Sequence, residues 1–133
     1  MKANIGLVCL IILFSKPSFA QSNNRDYILA LSVELYMNTI FSVPCDNFAT
    51  MFKSSLHAGK ISNADTLAMF SSFVRKVKYA RHDRGIDVRR KFIYELNGVD
   101  TTIICSNEFD ILVHGRLIKR NKRFMTFLNS MVR

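Results

Sequence analysis

The sequence predicts an α+β domain of three N-terminal helices, a three-stranded antiparallel meander and a C-terminal helix, held by one disulfide. Three observations predict it. Apolar residues recur at helical spacing up to about residue 80. Aromatic and β-branched runs broken by Asn97-Gly98 take over after Gly85. Helical spacing then returns behind Asn121.

Residues 24–41 are apolar almost throughout. Tyr27, Ile28, Leu31, Leu35 and Met37 fall on one helical face, and Leu29, Val33, Tyr36 and Ile40 cover much of the rest. The length of the run reads as a buried helix. Val43-Pro44 ends it, because a residue before proline avoids the α region. A second helix is expected from Cys45-Asp46, with Asp46 as N-cap, Phe48, Met51, Phe52, Ser55 and Leu56 at helical spacing, and Gly59 just past its end. A third starts at Ser62, where Ser62 and Asp65 form a variant of the capping box. Its stripe of Leu67, Phe70, Phe73, Val74 and Val77 runs to about Tyr79 or Ala80.

Lys91 to Leu96 reads as a strand, followed by Asn97-Gly98, a strong hairpin signal. Thr101 to Cys105 makes the second strand. After a turn at Ser106–Glu108, Phe109 to about Lys119 makes the third, with Gly115 as a bulge. Asn121 caps the last helix, whose face carries Phe124, Phe127, Leu128 and Met131. Lys122, Arg123 and Arg133 flank that face. A membrane-surface helix is therefore the rival to packing on the sheet.

The first twenty residues read as an address rather than as structure. One early lysine precedes the apolar run Ile5–Phe14, which is too short to span a bilayer, and Ser18 and Ala20 give the small residues a signal peptidase requires. The expected organisation is a cleaved signal peptide at 1–20 and one small domain at 21–133, exported to a bacterial periplasm or secreted. No later stretch in the sequence is long and apolar enough for a transmembrane helix. Cleavage removes Cys9 and leaves Cys45 and Cys105, an even pair that should be oxidised in that compartment. Closing a loop of about 60 residues stabilises a fold by roughly 4 kcal/mol in the chain-entropy model.

The net charge is +9 at pH 7, and loss of Lys2 and Lys16 lowers it to +7. The excess is uneven. From Arg75 onward there are 14 basic and 6 acidic residues, against 3 and 4 between Gln21 and Val74. Two clusters result. One holds Arg75, Lys76, Lys78, Arg81, Arg84, Arg89, Arg90 and Lys91, the other Arg116, Lys119, Arg120, Lys122 and Arg123. Together they form a candidate surface for an anionic partner, set against the alternative of a solvated face that keeps the domain soluble.

His57, His82 and His114 lack metal-ligand spacing, and no metal site or cofactor is predicted. The chain has no Gly-x-Ser-x-Gly, no phosphate loop, no dinucleotide fingerprint and no nucleic-acid motif. A cavity lined by His114, Glu95 and Asp110 would favour the less expected reading, a small hydrolase. The leading expectation is a small exported non-catalytic binding protein acting by protein–protein contact, in the format of inhibitors, immunity proteins and secretion accessories. The alternative is a basic module on lipopolysaccharide, anionic lipid or peptidoglycan.

Overall fold

The structure is a computed structural model and describes residues 26–132. The signal peptide expected at 1–20 lies outside the described residues. The architecture differs from the expected one. A six-stranded antiparallel sheet replaces the three-stranded meander, and of the three expected N-terminal helices the first is a strand and loop, the second a single turn, and only the third forms at length. The strands are β1 (Tyr27–Ser32), β2 (His57–Ile61), β3 (Arg90–Leu96), β4 (Asp100–Ser106), β5 (Ile111–Val113) and β6 (Arg116–Leu117). They lie in the spatial order β2-β1-β3-β4-β5-β6. The helices are α1 (Phe48–Met51), α2 (Ala64–Arg75) and α3 (Lys122–Ser130).

The first correction falls on 24–41. Its apolar run is a strand, β1, followed by a long loop. β1 sits between β2 and β3, pairing Ala30 with Gly59 on one side and with Phe92 on the other. Ile28 and Ala30 face one core, while Leu29 and Leu31 face a second. A strand covered on both faces shows no alternation, so its residues read as a helix buried all round.

The second correction is the helix at 45–56, of which only the single turn α1 forms. Gly59 is a strand residue opposite Ala30 rather than a helix stop. Third, α2 is capped by Asn63, whose side chain accepts from Thr66 N–H at 3.0 Å, not by Ser62. It ends at Arg75, because the next residues leave to join the sheet. The expected bulge at Gly115 is a turn. His114 (φ 49°) and Gly115 (φ 76°) both adopt the left-handed conformation and fold β5 onto β6. Asn97 and Gly98 do the same between β3 and β4.

One sheet face carries α2 and α3. Leu67, Phe70, Phe124 and Leu128 pack there on Ile28, Phe92, Tyr94 and Ile104. Phe73 stacks on Phe124 with ring centroids 4.9 Å apart, joining the helices. Phe124 and Leu128 are fully buried, so α3 spends its apolar face on the sheet. Asn121 caps it by accepting from Phe124 N–H at 3.0 Å.

The opposite face is covered by loops and α1. Val43, Phe48, Phe52, Ile86 and Val88 pack on Leu31, Leu112 and Leu117. Cys45 and Cys105 form a disulfide with their Cα atoms 5.8 Å apart, fastening this layer to β4. No helix among the described residues is long and apolar enough to cross a membrane.

Candidate functional site

Two surfaces stand out. The first is the loop between β1 and α1. Its side chains alternate, with Leu35, Met37 and Thr39 half-buried and Tyr36, Asn38 and Ile40 exposed. Tyr36, Ile40 and Phe41 are 81%, 92% and 74% exposed, unusual for residues so apolar.

The loop is held at both ends and in the middle. Arg89, 6% exposed, makes a bidentate pair with Asp87 at 2.6–2.8 Å. It also donates to Met37 C=O at 3.0 Å and to Thr39 Oγ1 at 3.1 Å, and its guanidinium lies 5.6 Å from the Phe52 ring centroid. Asp87 in turn accepts from Val43 N–H at 2.8 Å, and Val88 N–H donates to Val43 C=O at 2.9 Å. Lys91 Nζ donates to Cys45 C=O at 3.1 Å, beside the disulfide. The guanidinium is buried although the Asp87 carboxylate is 40% exposed, and a bidentate charge-assisted fork of this kind fixes a backbone better than fully exposed pairs do. The apolar side chains are thus presented from an ordered backbone.

The second surface is basic. The segment Lys78–Ala80 lies along the outer side of β6, where Tyr79 pairs with Ile118. Ala80 N–H donates to Leu117 C=O at 2.9 Å, and Lys119 N–H to Lys78 C=O at 2.7 Å. This pairing joins the two basic clusters of the sequence at one sheet edge. Lys76, Lys78, Arg81, Arg116, Lys119 and Arg120 are all exposed around it. Arg75 stands exposed at the end of α2, and Lys122 and Arg123 at the start of α3. A cleft of about 370 Å³ adjoins the edge, between Glu108–Ile111 and Lys119–Lys122.

Four of the basic residues are engaged elsewhere. Arg84 pairs with Asp110 at 2.8 Å. Arg89 holds the loop. Arg90, 6% exposed, donates to Asn129 of α3, and burial pushes its guanidinium below its ordinary value while the Glu108 carboxylate offsets part of that. Lys91 is half-buried at Cys45. Arg89 and Arg90 are buried and Lys91 half-buried, which a charge count cannot tell from surface cations.

His114, Glu95 and Asp110 do not share one cavity. Asp110 lines the cleft beside the basic edge. His114 lines another, of about 630 Å³, against Cys45 and Ile86. Glu95 sits on β3, opposite Tyr27 in the register with β1. Among the described residues no three His, Cys, Asp or Glu side chains gather as a metal site.

Sequence reasoning missed the loop, placing Tyr36 and Ile40 inside a buried helix. The available signal was polar: Glu34, Asn38 and Thr39 break the apolar run after Val33, whereas Tyr27–Leu31 has no such break. Comparison with protein-family models, characterised proteins and solved structures finds no match to this chain.

Proposed function

We propose that this chain is a small exported, non-catalytic binding protein that acts by protein–protein contact in the bacterial envelope. The observation that carries the reading is the clamped loop with Tyr36, Ile40 and Phe41 turned to solvent. Exposed apolar side chains on an ordered backbone are what a contact hot spot needs, since little freedom is lost on binding. The residues from Glu34 to Asp46 include two acidic and no basic ones, which disfavours an anionic membrane as the occupant of this loop. The basic edge would steer encounter with an acidic partner, so association should weaken with salt.

The test is a pull-down from periplasmic extract at low salt. The wild-type chain should retain a protein that a Tyr36→Ser/Ile40→Ser/Phe41→Ser variant loses, with both chains unfolding at the same urea concentration. Retention of nothing, or equal retention by the variant, would overturn the reading. A second reading, binding of lipopolysaccharide, anionic lipid or peptidoglycan, is favoured by one observation, the meeting of the two basic clusters at one edge. Co-sedimentation with anionic vesicles that survives the loop variant would favour it instead.

A further inference from the structure

Beyond β6 the sheet ends in Lys78–Ala80, and the register there sets like charges against each other. With Tyr79 opposite Ile118, Lys78 stands directly across from Lys119, and both side chains are exposed. Such a pair is destabilising on its own. Arg116 lies over the Tyr79 ring, 4.1 Å from its centroid. Nearby carboxylates are partly engaged already: Asp83 accepts from Leu117 N–H and Asp110 pairs with Arg84. Glu108 shares the adjoining cleft with Lys119 and Arg120.

The backbone of the same segment is half used. Lys78 C=O and Ala80 N–H point at β6. In an antiparallel pair the intervening residue points its N–H and C=O the other way. Tyr79 therefore offers both groups to the open edge, and neither takes a protein partner among the described residues.

We propose that this edge takes up a short, extended, acidic segment of a partner protein as an added strand. The segment's peptide groups bond the Tyr79 N–H and C=O, and its carboxylates meet Lys78 and Lys119. A membrane or polysaccharide supplies charge but no strand, so the free backbone groups favour a polypeptide. The proposal shares with the loop reading only the class of partner. Loop variants leave this edge intact and edge variants leave the loop intact, so the two fail separately.

The experiment titrates the purified protein with a short peptide of alternating Glu and Val, with the same peptide N-methylated at every residue, and with phosphatidylglycerol vesicles. The plain peptide should bind, slow amide exchange at Tyr79 and be released by salt. N-methylation should weaken it several-fold, up to about tenfold, because it removes the peptide N–H that donates to Tyr79 C=O. A Lys78→Ser/Lys119→Ser variant should lose the peptide while unfolding no more easily than wild type. Failure of the plain peptide to bind, equal binding of the N-methylated peptide, tighter binding to vesicles than to peptide, or undiminished binding by the variant would each overturn the proposal.

Discussion

Arg89, Arg90 and Lys91 are consecutive cations with three different structural tasks. Arg89 ties the apolar loop, Arg90 reaches α3 through Asn129, and Lys91 holds Cys45 C=O on the opposite sheet face. In the sequence they are simply part of a basic run, because formal charge carries no information on direction. Their roles depend on β3 being a central strand, whose alternation sends neighbours to opposite faces. Two tyrosines carry a pH signature. Hydrogen bonding to Glu95, with smaller effects of burial and of the Glu95 charge, raises the Tyr27 phenol above its ordinary 10.0. Burial does the same for Tyr94, reinforced by Asp26 and opposed by Arg75. A phenol raised on folding holds its proton more tightly in the folded chain. Its stabilisation is complete below the ordinary value and is lost as pH rises through the folded one. Urea midpoints should therefore be insensitive to these phenols at neutral pH and fall in alkali. The fall should shrink in a Tyr27→Phe/Tyr94→Phe variant, and an unchanged alkaline profile would count against the assignment.

At the scale of elements, legibility followed local chemistry. The Asn97-Gly98 hairpin and the Asn121 cap were readable because a turn with two positive φ angles and a helix start each demand specific residues. β1 was not readable, because burial on both faces erases the period of two. β2 was not readable either. His57, Ala58, Gly59 and Lys60 are exposed and poor in strand formers, and the pairing offered by β1 makes the strand. The start of α2 was misplaced by one residue, since Ser62 and Asn63 are both capping types. Replacement separates them. Asn63→Ala should lower stability by about 1 kcal/mol and Ser62→Ala by only a few tenths. Equal losses in denaturant unfolding would return the cap to Ser62.

On the scale of the whole molecule, the sheet divides two unlike layers. Helices α2 and α3 cover one face with an aromatic cluster of Phe70, Phe73, Phe124 and Phe127. The other face has one helical turn and long loops, and there the disulfide and the Arg89 fork supply the order that secondary structure does not. Of the candidate site, the disulfide pair was legible from the cysteine count, as the two cysteines left once Cys9 is assigned to an expected signal peptide. The meeting of the basic clusters depended on the pairing of Tyr79 with Ile118, which has no local signal, and the apolar loop on β1 ending at Ser32, which the polar Glu34, Asn38 and Thr39 alone mark.

The central claim is that the loop held by Arg89 is where this protein touches another. Photo-crosslinking in the living cell tests it most directly, with the probe at Ile40 and a control probe at Val99, which is 82% exposed on the β3–β4 hairpin. The account predicts one protein adduct from position 40, none from position 99, and loss of the adduct when Arg89→Ala frees the loop. Equal adducts from both positions, or none from position 40, would contradict it.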